Sequence, residues 1–365
     1  MNVVHVSPTY YSHKSIIGGG EKYILHMIRA INIAADKSNS PIANSIISFG
    51  EDAGTHVLDG SVVCHVMKGV PWDPYSIRVD EFMQQIDQAE VVLVHQCLSA
   101  VGLFVASHAK LNGKYVVGMD HGGGEHRLVS HTHEGAGMYD AFLAQSKFAS
   151  NAFAGLGVRT IIARGPVDTD YYQPDCFSDK DPSLLVAVGR LLPHKGFDRI
   201  IKSMPAELKL VIAGRRSDED YFRYLKELQF KSSAAVEIRE NLHDVEIRAL
   251  LQRASLFVHA STHIDYRGCY YAKPELLGLA PLEALACGTP TLVSTAGSLA
   301  ELTMVEGAQS FVSDDELATL INAHARNRET YPTPNAIHAS VEAAYGMAQF
   351  GSSIYAELLA LDRNP

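Results

Sequence analysis

Short, nearly continuous apolar runs alternate with amphipathic stretches from one end of the chain to the other. In the first half, Asn2–Ser7, Asn44–Ser48, Val62–Val66, Val91–His95, Tyr115–Met119, Ala141–Gln145 and Thr160–Ala163 read as strands. In the second half, Leu184–Val188, Leu208–Ala213, Ala235–Ile238, Leu256–His259 and Pro290–Val293 do so. Most of these runs have no polar face, as expected of strands covered on both sides. Between them, Glu21–Ala34 gathers Ile24, Leu25, Ile28 and Ile31 on one helical face. Asp244–Ala254 does the same with Val245, Ile247, Leu250 and Leu251. Strand–helix alternation at this pitch builds parallel sheets from βαβ units.

Twelve strands exceed what one twisted sheet usually holds, and 365 residues suit two domains. A new strand–helix series begins after Arg164-Gly165-Pro166. The expectation is α/β: two doubly wound domains facing each other across a cleft, spanning residues 1–165 and 166–344. A terminal helix follows over 345–365, where Met347, Phe350, Ile354 and Leu358 recur at helical spacing. Such sheets bind ligands at their strand C-terminal ends.

The formal charge of -10 argues against nucleic acid or an anionic membrane surface as the main partner. Five scattered cysteines without a C-x-x-C pair suit a reducing compartment. The first residues lack the pattern of a signal peptide, and no apolar run reaches the ~20 residues of a membrane helix. A soluble, cytoplasmic protein is expected.

Glycine turns leading into helices offer free N–H groups to anions. Gly18-Gly19-Gly20 precedes the Glu21 helix, and Gly122-Gly123-Gly124 follows a strand, with His121 just before it. Neither fits G-x-G-x-x-G, no P-loop occurs, and each triplet alone also reads as a tight turn. The strand Leu184–Val188 runs into Gly189-Arg190 and then Lys195-Gly196, a cation pair placed to meet a diphosphate or merely solvated at the surface. Further on, Glu275 precedes Gly278-Leu279-Ala280-Pro281, with Glu283 eight positions after Glu275 and Gly288 and Pro290 closing a helix. Pro281 and Glu283 are expected in the first turn, with the N–H groups of Leu279, Ala280 and Leu282 at its open, positive end. A carboxylate on that helix can take ribose hydroxyls, and one in the loop can orient a second polyhydroxyl group.

These residues resemble the retaining GT-B glycosyltransferases of the GT4 type. The E-x7-E element of Glu275 and Glu283, with Gly278-Leu279 and the following Glu-Ala-Leu-Ala-Cys-Gly-Thr-Pro, is similar to the family signature. Arg190 with Lys195, Gly19-Gly20 at the head of the first long helix, and His121 after its strand resemble further family positions. The resemblance implies two Rossmann-like domains, a C-terminal helix returning to the first, and a nucleotide-sugar donor on the second. It implies that Arg190 and Lys195 hold the diphosphate, assisted by the amides of Leu279 and Ala280. Glu283 grips the ribose, Glu275 orients sugar hydroxyls, His121 contacts the sugar, and Gly19-Gly20 approach diphosphate or acceptor. No metal or other cofactor is expected. The acceptor is unidentified, and an epimerase of the same architecture or a non-catalytic nucleotide-sugar binding module are the alternatives.

Three features depart from the family pattern. Residues 262–274 form an insertion ahead of Glu275, read either as a recognition loop or as an ordinary surface excursion. Glu240-Asn241-Leu242-His243 stands where the family often has a glycine ahead of its nucleobase-contacting loop, which leaves the base open while Leu242 is carried over as a donor-binding position. Gly297-Ser298 departs from a paired-glycine pattern near the donor. Seventeen histidines are many, and His131-x-His133 beside Glu134 is a weak zinc motif.

Overall fold

A computed structural model describes residues 1–7, 19–50, 53–58, 60–68, 79–97, 99–122, 133–175, 180–327 and 331–362. The chain divides into two compact units, Met1–Pro166 together with Met347–Pro365, and Val167–Gly346.

The first unit is built on β1 (Asn2–Val6), β2 (Ala43–Gly50), β3 (Gly54–Leu58), β4 (Val62–Lys68), β5 (Val91–His95), β6 (Tyr115–Met119), β7 (Ala141–Ala144) and β8 (Arg159–Ile162). They form one sheet in the order β3-β4-β2-β1-β5-β6-β7-β8. Every pairing is parallel except β3 with β4. Helices α1 (Gly19–Lys37), α2 (Val79–Asp87), α3 (Ala100–Leu111), α4 (His133–Ala136) and α5 (Lys147–Ser150) connect the strands. Helix α1 turns Tyr23, Ile24, Met27, Ile28 and Ile31 inward, the recurrence its sequence displays.

The second unit carries β9 (Asp181–Val188), β10 (Lys209–Ala213), β11 (Ala235–Arg239), β12 (Ala254–His259), β13 (Thr291–Ser294) and β14 (Ala308–Phe311), in the order β11-β10-β9-β12-β13-β14. All are parallel. Its helices are α6 (Phe197–Lys202), α7 (Glu219–Lys231), α8 (Asp244–Arg253), α9 (Leu279–Ala286), α10 (Asp314–Arg326) and α11 (Pro334–Tyr345). Strand β12 is buried along its whole length, and apart from Ser255 and its terminal His259 it is apolar.

Strands β3 and β14 have no counterpart among the sequence-predicted strands. Both are edge strands, and β3 is largely exposed, so neither needed an apolar run. The final helix also differs from the expected 345–365. Tyr345 closes α11, Gly346 is extended, and α12 (Met347–Asp362) begins afresh. Phe350, Ile354 and Leu358 of α12 are buried, and the helix lies against α1 so closely that a Cβ on Gly351 would stand 2.0 Å from the Ala30 carbonyl oxygen. Among the described residues, no helix is long and apolar enough to cross a membrane.

Candidate functional site

In the second unit the chain leaves β9 through Gly189 and the exposed Arg190, then buries Leu191 as an anchor. A 3₁₀ turn over Pro193–Lys195 follows, and Gly196 ends it with φ 67. A Cβ at Gly196 would sit 2.0 Å from the Ala260 carbonyl oxygen, so only glycine lets this loop lie against the tip of β12. The closeness has a consequence for Lys195. Its Nζ donates to Glu275 Oε2 at 2.6 Å, with side-chain exposures of 13% and 15%.

Glu275 is held from several sides. His259, at the end of β12, donates from Nε2 to the same Oε2 at 2.9 Å, and Ser261 Oγ stands 3.1 Å from that ring nitrogen. The Glu275 carbonyl accepts from Ser298 N–H at 3.1 Å. Gly297, at φ 63, presses in so tightly that a Cβ would come within 2.3 Å of that carbonyl oxygen. Burial pushes the Glu275 carboxyl up, but Lys195 and the His259 hydrogen bond outweigh it and hold the group far below the usual carboxylate range. Burial keeps His259 below its ordinary value despite Glu275, so it serves as a neutral donor. His194 is driven down to about 4, first by burial and then by Lys195, with Glu275, Arg190 and His259 also acting on it. Four charged or titratable groups therefore surround one imidazole.

Gly278 caps α9, whose first residues are Leu279 and Ala280. Two expectations need correction here. The Leu282 N–H is already bonded to the Gly278 carbonyl at 3.3 Å, so the open end of the helix belongs to Leu279 and Ala280. Glu283 lies in the second turn and not the first, because the helix begins two residues before Pro281. Glu283 is 7% exposed and hydrogen-bonded by the Tyr172 phenol, whose pKa burial and this carboxylate raise. Leu242 is half-buried in the turn between β11 and α8. It follows Asn241 at φ 58, a left-handed conformation that asparagine tolerates and glycine would adopt freely.

The insertion is a packed hairpin. Asp265 accepts from the N–H groups of Arg267 and Cys269 at 2.8 and 2.9 Å and from the Tyr271 hydroxyl at 3.2 Å. Tyr266 stacks on Tyr224 with ring centroids 4.3 Å apart, and Tyr271 lies 4.8 Å from the His194 ring. His263 accepts the Gly297 N–H at Nε2, 3.2 Å, which makes its Nδ1 the donor to the Tyr271 carbonyl at 2.9 Å. The hairpin thus braces the backbone that carries Glu275. Sequence reading missed His259, His263 and Gly297 as supports. The signal available was a histidine at the tip of a buried apolar strand, two positions before Ser261.

In the first unit, Gly20 and His121 meet: a Cβ on Gly20 would lie 3.5 Å from His121 Cβ. Gly19 opens the same helix, and the Tyr23 ring stands edge-on to His121 at 5.3 Å. Gly18, Gly123, Gly124 and His131, and the side chains of His133 and Glu134, fall outside the described residues.

Residues 170–331, which hold the Lys195–Glu275 site, match the protein-family model described as "Glycosyl transferases group 1". A stretch of 127 residues is 32% identical to an uncharacterized glycosyltransferase, MJ1607, of Methanocaldococcus jannaschii, and it spans 33% of this chain and 30% of that protein. Over 99% of both chains, the structure superposes on Anabaena Alr3699/HepE in complex with UDP and glucose, with TM-score 0.74 and 17% identity. AviGT4, a glycosyltransferase involved in avilamycin A biosynthesis, matches over 98% of both chains with TM-score 0.67 and 17% identity. The fold is GT-B. In GT-B terms, the Lys195–Glu275 site belongs to the unit that the family model matches, and His121 with Gly19 and Gly20 belongs to the other.

Proposed function

We propose that the protein is a glycosyltransferase that moves a hexosyl group from a nucleotide-diphosphate sugar to an acceptor with retention of configuration. The observation that carries this reading is the direct Lys195–Glu275 contact, between residues 80 positions apart, beside the helix headed by Leu279 and Ala280. Arg190 and Lys195 take the diphosphate and stabilise the charge that grows on it as the bond to the sugar breaks. The amides of Leu279 and Ala280 add the positive end of a helix. Glu275, braced in position, orients sugar hydroxyls, and Glu283 serves the ribose.

A carboxyl held this far below its ordinary range keeps no proton to give, so Glu275 is unsuited to acid catalysis of the glycosidase kind. The proposed step therefore needs no protein acid. The bond from the anomeric carbon to phosphate oxygen breaks, the acceptor oxygen bonds to that carbon on the same face, and the acceptor's proton passes to the departing phosphate. This step is proposed to need no metal, and turnover is expected to survive EDTA.

The Anabaena relative was solved with UDP and with UDP-glucose, which makes these the first ligands to test. Thermal-shift measurement against a panel of nucleoside diphosphates identifies the donor class, since a bound ligand at ~100 Kd stabilises by about 2.7 kcal/mol. Sugar release with and without acceptors then separates transfer from epimerisation and from binding alone. Full turnover in Lys195→Ala, expected to lose about 10²–10³-fold, refutes the phosphate assignment.

A further inference from the structure

A line of polar side chains crosses five neighbouring strands of the first sheet, on one side of it. Asn44 of β2 comes first, then His5 of β1, His95 of β5, His121 just past β6 and Gln145 just past β7, in the sheet order β2-β1-β5-β6-β7. His121 Nε2 is 2.8 Å from His95 Nδ1, His95 Nε2 is 3.1 Å from His5 Nδ1, and His5 Nε2 is 3.1 Å from Asn44 Oδ1. His5 and His95 are fully buried. Such placement in an otherwise apolar sheet costs stability unless every ring nitrogen is satisfied.

The hydrogens can be assigned from both ends. Asn44 Nδ2 donates to Asn32 Oδ1 at 2.7 Å, so its Oδ1 accepts from His5 Nε2–H. His5 Nδ1 then accepts from His95 Nε2–H, and His95 Nδ1 accepts from His121 Nε2–H. At the other end, Gln145 Nε2 donates to the Asp120 carbonyl at 2.7 Å, which fixes the amide orientation and turns an N–H toward His121 Nδ1, 3.4 Å away. Both ends demand the same tautomer. Burial holds His5 and His121 down at about 4 and His95 well below its ordinary value, so the string is neutral at pH 7. Among the described residues, the groups facing His121 are Tyr23, His95, Gln145 and the adjoining Asp120, the last of which pulls its pKa upward without overcoming burial. Gln145 Oε1, in a side chain only 3% exposed, has no hydrogen-bond partner among the described residues. A buried acceptor of this kind wants a donor.

We infer that His5 and His95 are positioning residues that lock His121 as the Nε2–H tautomer, so that its Nδ1 accepts a hydroxyl of a polyhydroxylated substrate beside Gly20, which displaces the long 3.4 Å contact from Gln145. This rests on the proposed glycosyltransferase reading, which gives His121 a substrate to meet.

The test has two independent readouts. Long-range ¹⁵N–¹H NMR of the full-length protein at pH 7 is expected to show all three rings as Nε2–H tautomers. A Nδ1–H signal for His121 overturns the proposal, with no variant required. Hydrolysis of UDP-glucose without acceptor is then followed in two variants. His95→Gln keeps an acceptor for His121 and a donor for His5, and is expected to stay within about threefold of wild type. His95→Phe keeps neither, and is expected to lose about tenfold in kcat with KM for UDP-glucose unchanged and a mixed His121 tautomer. Wild-type kcat in His95→Phe, or failure of His95→Gln to restore the tautomer, overturns the positioning role. An inactive wild type with the expected NMR tautomers counts against the transferase reading alone and leaves the hydrogen-bond string standing.

Discussion

Replacing Lys195 by alanine leaves a buried carboxylate without its cation, and the expected consequence is a stability defect that changes with pH. In the intact protein the Glu275 carboxyl is held far below the carboxylate range. A depressed pKa contributes stability that is full above the unfolded value of ~4.3 and is lost only as pH falls through the folded value. Between pH 5 and 8 the wild type is therefore flat in this respect. Without Lys195, burial is opposed by His259 alone, so the carboxyl rises, while His259 faces an otherwise uncompensated carboxylate and is drawn toward its protonated form; both changes make a proton on this pair more stabilising as pH falls, so the sign reverses. The variant is penalised most at high pH and recovers as pH falls through the raised pKa. Both side chains are mostly buried, at 13% and 15% exposure, so little solvent discount applies. Removing one partner of such a pair costs ~3 kcal/mol, or about 6–12 °C in Tm for a unit of this size. The assay is differential scanning fluorimetry of wild type, Lys195→Ala and Lys195→Ala/Glu275→Gln from pH 5 to 8. The double variant, lacking the carboxylate, is expected to lose the pH dependence. A gap between wild type and Lys195→Ala that stays constant across this range, or no gap at all, refutes the reasoning.

Other outcomes follow from close contacts. Gly297→Ala forces a Cβ onto the Glu275 carbonyl at a left-handed backbone position, and is expected to cost about 2 kcal/mol or more in a denaturation midpoint. Because it displaces Glu275, it should also lower sugar transfer, and unaltered kinetics would count against the brace. Gly351→Val intrudes on Ala30 and parts α12 from α1. The expected result is faster proteolysis of the C-terminal helix with UDP protection of the other unit retained. His121→Ala is expected to preserve UDP-glucose binding, read calorimetrically, while slowing transfer at least tenfold. Equal loss of binding and transfer assigns that histidine a structural role.

Much of the fold is legible in the apolar runs. A parallel strand covered on both faces is predominantly apolar, so β5, β6, β10 and β12 stand out of the sequence even though β5 and β12 end in buried histidines. Of the four edge strands, β8 and β11 keep readable runs, whereas β3 and β14 escape because one side of their ladder faces solvent, and β3 alternates too weakly to declare itself. At the candidate site, Lys195 and Glu275 are legible because cations at strand tips and acids near helix starts are local patterns. Their partners are not. His259 and Gly297 matter through contacts that cross from one strand tip and one turn to another, and no local spacing encodes them.

The sequence alone determined the alternation of strands and helices, the glycine and proline punctuation, and which residues could meet a phosphate. Tertiary structure decided that Lys195 and His259 meet on one oxygen of Glu275, that His263 ties the insertion to Gly297, and that three histidines from separate strands line up ring to ring. Local patterns record the face each residue must hide. Which distant groups meet depends on strand order and on how closely two backbones approach, and those are fixed only when the sheets assemble.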